Sequence, residues 1–297
     1  MSNRAVVEGR IPFKGYSTWY RIVDHGEAAG KLPLLCLHGG PGAAHDYLES
    51  LDAIAATGRR VIYYDQLGCA NSSLPHPAPE MWTVELFVEE IDAVRTALGL
   101  ERIHLLGQSW GGMLAMEYML TQPKGIASLT IASSPASMKQ WVAEANRLRA
   151  QLPAEIRAAL DKHEAADTTS DPEYIEATNE FYARHVCRVP HPDYVARSFS
   201  KLAENPEVYN TMNGPNEFFV IGTLKDWDII DRLPEINAPT LVTSGKYDEA
   251  TPLIAGTVYT GIPGAHWVTF DHSSHMAHVE EADRYMQVLS AWLAENE

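Results

Sequence analysis

Cysteine is scarce in this chain, and the spacing of the few that occur excludes two classes of small protein. Among 297 residues there are 3 cysteines, namely Cys36, Cys69 and Cys187, which lie far apart and form no C-x-x-C pair. A disulfide framework or a zinc ribbon needs paired or closely spaced cysteines. The spacing therefore indicates a reducing compartment, and we expect a cytoplasmic protein.

Basic residues are also few. Lys and Arg total 23 against 39 Asp and Glu, which gives a net charge of −16. Such a surface repels phosphate backbones and anionic headgroups. We therefore expect no nucleic-acid partner and no membrane partner, and small neutral or cationic molecules suit the chain better.

Long apolar runs are missing as well. No run is long enough to span a bilayer, and the opening residues Met1 to Ala5 are not followed by an apolar segment of signal-peptide length. A chain of this length can bury a substantial core. One large α/β domain with an insertion fits it better than two independent domains.

The stretch Gly107-Gln108-Ser109-Trp110-Gly111 fits the G-x-S-x-G pattern of a nucleophile elbow. An apolar strand, Arg102 to Leu106, precedes it, and a run of good helix formers follows it. A strand that turns at once into a helix lifts the hydroxyl of Ser109 out of the sheet. The same turn aims the amide of Trp110 and the positive end of the helix at a developing oxyanion.

Apolar strands and amphipathic helices alternate around this elbow. Residues 5–24 predict an antiparallel hairpin, and a helix is expected from Val84, capped by Thr83, to Leu98. Further strands are expected at 32–37, 60–64, 129–132, 240–244 and 267–270, with a closing helix at 282–293. The pattern predicts a mostly parallel sheet covered by helices.

Between the strands the pattern changes to helical segments interrupted by prolines. From about Ser137 to Trp227 the charged, amphipathic segments indicate a helical cap. We therefore predict a core domain made of residues 1–135 and 229–297, with residues 136–228 inserted in it. Ligands of such sheets bind outside the carboxyl ends of the strands, so the cap is expected to cover the elbow.

A serine nucleophile needs a base and an acid that orients the base. Asp248 and His275 follow two strands, so the chain order is Ser, Asp, His, as expected for α/β hydrolases. Asp271 is a rival for the role of the acid.

The spacing of His272, His275 and His278 is also compared with that of a metal site, but no HExxH motif or carboxylate ligand set accompanies these histidines. Cys69, in the loop after residues 60–64, is a candidate for reaction with thiol reagents.

Several longer motifs carry a resemblance. These are His38-Gly39-Gly40-Pro41-Gly42, Asp65-Gln66-Leu67-Gly68-Cys69, the elbow, Met212-Asn213-Gly214-Pro215-Asn216-Glu217-Phe218, Lys225-Asp226-Trp227-Asp228 and Gly245-Lys246-Tyr247-Asp248-Glu249. Over nearly its whole length the chain resembles the prolyl aminopeptidase (proline iminopeptidase) family, closest to the tricorn-interacting aminopeptidase branch.

The resemblance implies a serine exopeptidase of the α/β-hydrolase fold that releases an N-terminal residue, often proline, from short peptides without a cofactor. It implies a triad of Ser109, Asp248 and His275, with oxyanion-hole amides from Gly40 and Trp110. Glu217 and Glu249 are implied to bind the free α-amino group of a short peptide or amino-acid amide. An amino-acid amidase, an esterase or lactonase on the same scaffold, and a binding protein without turnover remain alternatives.

Overall fold

The computed structural model describes residues 5–26, 28, 30–74 and 77–297. The first four residues of the N-terminal segment considered above lie outside this description. Within the described residues one sheet of eight strands is formed, in the order β1-β2-β4-β3-β5-β6-β7-β8. The strands are β1 Ala5–Phe13, β2 Tyr16–Asp24, β3 Leu34–Leu37, β4 Val61–Asp65, β5 Ile103–Gln108, β6 Ile126–Ala132, β7 Thr240–Gly245 and β8 His266–Phe270.

The sheet is antiparallel at one edge and parallel elsewhere. β1 pairs with β2 and β2 with β4 in antiparallel register, whereas every pair from β4 through β3 to β8 is parallel. The central strands β3, β4 and β5 are buried along their whole length, as expected for strands covered on both faces. The mostly parallel sheet predicted from the sequence is confirmed.

Ten α-helices are formed in the described residues. They are α1 Val84–Ala97, α2 Trp110–Leu120, α3 Met138–Arg149, α4 Ala154–Ala165, α5 Pro172–His185, α6 Asp193–Glu204, α7 Glu207–Met212, α8 Pro252–Gly261, α9 Ala277–Glu280 and α10 Ala282–Glu295. The Thr83 side chain accepts a hydrogen bond from the Leu86 amide and begins α1. A 3₁₀ helix at His45–Thr57 and helix α8 were not expected from the sequence.

The five helices α3 to α7 lie between β6 and β7 in the chain, and the two ends of this segment meet. The Ile229 amide donates to the Ala136 carbonyl at 2.9 Å, and the Met138 amide donates to the Trp227 carbonyl at 2.9 Å. The segment therefore leaves the core and returns to it at one point. No helix of the described residues is long and apolar enough to cross a membrane.

Candidate active site

The strand-to-helix turn at Ser109 has the geometry of a nucleophile elbow. Ser109 has φ 57° and ψ −126°, and α2 begins at the next residue. A Cβ on Gly107 would lie 2.0 Å from the Gly111 carbonyl oxygen, and one on Gly111 would lie 2.1 Å from that of Leu37. Both glycines are required because backbone occupies the space that a side chain would need. Ser109 borders a cavity that is also lined by residues of α6 and α7, among them Leu202 and Tyr209.

Asp248 and His275 meet at the carboxyl ends of the neighbouring strands β7 and β8. His275 Nδ1 lies 2.8 Å from Asp248 Oδ1. The Ala250 amide donates to Asp248 Oδ1 at 2.7 Å and holds the carboxylate in place. Burial acts to lower the pKa of His275, but the charge and the hydrogen bond of Asp248 outweigh it and raise that pKa. Asp248, and not the rival Asp271, therefore carries the hydrogen bond to His275.

The three histidines of the 272–278 segment do not converge on one point. His275 contacts Asp248, whereas His278 Nε2 lies 3.2 Å from the Tyr47 carbonyl oxygen. Burial lowers the pKa of His278 to about 4, so this ring is neutral at ordinary pH. The clusters of described residues whose side chains have metal-site spacing lie elsewhere, at His45, Asp46 and Glu49 and at His163, Asp171 and Glu173.

Gly40 and Trp110, the residues expected to supply oxyanion amides, both border the space beside Ser109. Gly40 has φ +114°, and a Cβ there would lie 2.5 Å from the Gly42 nitrogen. Only glycine fits this tight turn without strain. Trp110 is the first residue of α2, where backbone N–H groups have no partner within the helix. The arrangement has two backbone segments that converge beside one hydroxyl.

Two glutamines that the sequence analysis did not single out connect these segments. The side chain of Gln66 donates to the His38 carbonyl at 2.8 Å and accepts from the Trp110 indole at 2.8 Å. Gln108 Nε2 donates to the His275 carbonyl at 3.0 Å, and its oxygen accepts from the Tyr47 hydroxyl at 2.5 Å. Both glutamines are buried. The sequence could have indicated these two residues by their positions. Gln66 directly follows β4, and Gln108 lies inside the elbow.

Glu217 and Glu249 both border the cavity that contains Ser109 and His275. Glu217 Oε1 accepts a hydrogen bond from the Tyr209 hydroxyl at 2.6 Å. Glu249 Oε1 lies 3.8 Å from His275 Nε2, while its other carboxylate oxygen is buried without a hydrogen-bond partner among the described residues. No Lys or Arg belongs to the described lining of this cavity. Among the described lining residues the site therefore offers two acidic groups, and His275 is the one neighbouring side chain that can carry a positive charge.

The pKa values of both glutamates are raised. Burial raises the pKa of Glu249 well above its ordinary range, and the neighbouring Glu217 and Asp248 carboxylates add to the effect. Burial also raises the pKa of Glu217, although the Tyr209 hydrogen bond opposes the shift. A positively charged group placed between them would reverse these shifts, because it stabilises the ionised form.

The helical segment contributes to the site through its backbone as well. The carbonyl of His185, the last residue of α5, accepts from the Glu249 amide at 3.2 Å and from the His275 amide at 3.3 Å. Of the aromatic residues in the segment, Tyr209 borders the cavity, while Phe181 and Phe218 pack into a separate hydrophobic cluster. Cys69 is fully buried and burial raises the pKa of its thiol, and both features disfavour its reaction with thiol reagents.

This chain is similar to known proteins over nearly its full length. A family model for the alpha/beta hydrolase fold matches residues 33–282. The proline iminopeptidase of Lactobacillus acidophilus is 43% identical, with 98% of this chain and 99% of the relative covered. Among solved structures, proline iminopeptidase of Mycobacterium smegmatis has a TM-score of 0.91 at 49% identity and 98% coverage of both chains. VinJ has a TM-score of 0.94 at 44% identity, with 98% of this chain and 99% of VinJ covered.

Proposed function

Because this chain belongs to the proline iminopeptidase family of α/β hydrolases, we propose that it is a serine aminopeptidase that releases N-terminal proline from short peptides. One observation carries this proposal. Two glutamates, Glu249 fully buried and Glu217 partly buried, border the same cavity as Ser109 and the Asp248–His275 pair, and no Lys or Arg belongs to its described lining. That juxtaposition suits a substrate with a free ammonium group next to the scissile carbonyl.

Ser109, His275 and Asp248 act as the triad in this proposal. His275 takes the proton of the Ser109 hydroxyl, and Oγ attacks the carbonyl carbon of the first residue. The amides of Gly40 and Trp110 stabilise the oxyanion. His275 then protonates the leaving nitrogen as the C–N bond breaks, and water hydrolyses the acyl-enzyme. Asp248 holds the ring with Nδ1 protonated and stabilises its charged form.

Glu217 and Glu249 bind the substrate amine. An ammonium about 4 Å from one carboxylate gains roughly 4 kcal/mol at an effective dielectric near 20. The ammonium also relieves the repulsion between the two carboxylates. An N-acylated substrate lacks this charge, so amine recognition distinguishes an aminopeptidase from an esterase or lactonase. An amino-acid amidase would use the same groups and differs only in the size of its leaving group.

We place the boundaries of the cap at residues 136–228, inserted between core segments 1–135 and 229–297. The cap covers the site and contributes Glu217 to it. We further propose a cytoplasmic enzyme that needs no cofactor and acts on small peptides, in keeping with the three free cysteines and the net charge of −16. Nucleic acids and anionic membranes are not expected partners of such an acidic chain.

Hydrolysis of proline 4-nitroanilide and of its N-acetyl form tests the proposal. We expect Ser109→Ala to lower kcat by about 10⁴-fold or more. Glu217→Gln and Glu249→Gln should each lower kcat/KM by about 10- to 100-fold, since each removes a charge-assisted contact. Glu176→Gln, an exposed change on α5, is the matched control. Equal hydrolysis of the N-acetyl substrate by the wild type would contradict an aminopeptidase.

A further inference from the structure

A second cavity lies within the cap and adjoins the cavity that contains Ser109. Side chains of α5, α6 and α7, together with Pro206 and Pro215, surround it, and we refer to it as the cap chamber. It offers about 930 Å³ of empty space, against about 480 Å³ for the cavity at Ser109, and both volumes include space open to solvent. Both spaces are bordered by Val186, Phe199, Leu202, Tyr209 and Glu217. The shared lining places the chamber directly beside the catalytic cavity.

The position of His275 shows which part of a substrate the chamber faces. A third, smaller space of about 270 Å³ adjoins Ser109 on the side of Trp110, Met138 and Trp141. His275 borders the catalytic cavity but is absent from the lining of this smaller space. The general acid must contact the leaving nitrogen, so the leaving group emerges on the side of His275. The catalytic cavity, which His275 borders, adjoins the cap chamber.

The described wall of the chamber is mostly apolar and carries no positive charge. Its lining includes Ile175, Tyr182 and Leu202 beside neutral polar residues such as Asn179 and Asn210, and no Lys or Arg belongs to its described lining. The single acidic group there is Glu217. A free C-terminal carboxylate would enter this space without a counter-charge, because Glu217 is already paired with the substrate ammonium, and this is unfavourable. An uncharged apolar group would instead lose contact with water, which is favourable.

One polar group in the chamber lacks a partner. Thr178 on α5 is 7% exposed, it borders the chamber, and its hydroxyl has no hydrogen-bond partner among the described residues. Buried hydroxyls are normally satisfied. A peptide group of a bound substrate would supply a carbonyl acceptor or an N–H donor at this point.

From these contacts we propose that the cap chamber binds the leaving part of the substrate. The chamber selects uncharged, apolar leaving groups whose own carboxyl is in amide linkage. The enzyme therefore prefers prolyl peptides that continue as apolar amides over dipeptides with a free carboxylate. This inference rests on the proposed function and adds a substrate class to it.

A substrate series with a common acyl group tests the inference. Proline amide has the smallest leaving group, and Pro-Leu, Pro-Leu amide and Pro-Leu-Leu amide extend it. For the wild type we expect kcat/KM to be at least about tenfold higher for Pro-Leu amide than for Pro-Leu, and to rise again for Pro-Leu-Leu amide. Equal values for the free acid and the amide would overturn the inference.

Two variants at Ala203, an exposed residue of α6 that borders only the chamber, sharpen the test. Ala203→Trp narrows the chamber and should reduce the advantage of Pro-Leu-Leu amide while hydrolysis of proline amide stays within about twofold. Ala203→Lys supplies a cation and should bring Pro-Leu closer to Pro-Leu amide. Ala183→Trp, on an exposed part of α5 outside both linings, is the control for added bulk.

The outcomes separate this inference from the proposed function. If the wild type hydrolyses proline amide but neither Ala203 variant alters the order of the longer substrates, the chamber assignment is wrong and the aminopeptidase stands. If the wild type hydrolyses none of the substrates, the proposed function fails and the inference fails with it. If Ala203→Trp does not fold, the wild-type ratio and the lysine variant decide the matter.

Discussion

Gln66 connects the two backbone segments that are proposed to form the oxyanion hole. Its side chain joins the His38 carbonyl to the Trp110 indole, and its own amide donates to His38 Nε2 at 2.9 Å. All three residues are buried. An oxyanion hole works because its donors are held in place before the charge develops. Gln66 is thus a positioning residue, since it acts through the residues on either side of Ser109.

We expect Gln66→Leu to lower kcat by about 10- to 100-fold while KM changes little, because the loss falls on the transition state. The affinity for a prolyl boronic acid should fall in parallel with kcat, whereas inhibition by the product proline should not change. Trp110→Phe removes the other end of the same hydrogen bond. Combining both changes should therefore cost less than the sum of the two. Additive losses, or equal losses of boronate and proline affinity, would argue for a general structural defect instead.

Helix α6 docks on the 3₁₀ helix His45–Thr57 through buried charge. Asp46, which is 2% exposed, is ion-paired with Arg197 and accepts from Lys201 Nζ at 2.8 Å. Arg197 also reaches Glu49 at 2.7 Å. Phe199 and Leu202 on the same helix border both the catalytic cavity and the cap chamber. The ion pairs therefore hold one wall of the site against the core.

Asp46→Asn should loosen this wall, because it leaves two cations without their shared carboxylate. We expect the free energy of unfolding to fall by about 1–3 kcal/mol and α6 to become more susceptible to limited proteolysis. The Glu204→Gln variant, at an exposed position on α6, should match the wild type. Burial acts to raise the pKa of Asp46, but Lys201, His45 and Arg197 lower it on balance. The stabilisation is therefore present above the ordinary Asp pKa and lost as the pH falls through the lowered one. A proteolysis pattern unchanged in Asp46→Asn would contradict this role.

A buried acid outside the active site, Glu90, makes the global stability of the molecule depend on pH in the direction opposite to Asp46. Glu90 of α1 is fully buried, accepts a hydrogen bond from the Thr18 hydroxyl and accepts from the Leu67 amide at 3.0 Å. It thus connects the hairpin strand β2 to the loop that carries Gln66. Burial raises the pKa of Glu90 from 4.5 to about 8. The folded state holds this proton more tightly than the unfolded state does.

The sign of the effect follows from that difference. The contribution of protonated Glu90 to stability is fully present below pH 4.5 and is lost as the pH rises towards about 8, because the unfolded chain ionises first. Between pH 6 and 8 we expect the wild type to lose about 2–3 kcal/mol of unfolding free energy relative to Glu90→Gln. Urea unfolding of both proteins at the two pH values measures this. Glu85→Gln, on an exposed part of α1, is the control, and parallel pH curves for wild type and Glu90→Gln would refute the assignment.

Much of the fold was predictable because its signals are local. Apolar runs give the strands, and Thr83 at a helix start and Gly99 at its end give α1, so these boundaries were confirmed within a few residues. The 3₁₀ helix His45–Thr57 was missed because it has no side-chain cap at its start and because three of its buried residues, His45, Asp46 and Asp52, are polar. Helix α8 was also missed, although Thr251 followed by Pro252 is a recognisable start signal.

The sequence alone determined the family, the parallel sheet, and the candidate residues Ser109, Asp248, His275, Gly40, Trp110, Glu217 and Glu249, because motifs and hydrophobic periodicity are written in consecutive residues. Only the tertiary structure decided which of them lie together. It paired Asp248, not Asp271, with His275, buried Cys69 away from reagents, and brought Gln66, Gln108 and the His185 carbonyl into the site. Contacts between residues distant in sequence depend on how strands and helices pack against one another, and no local pattern contains that information.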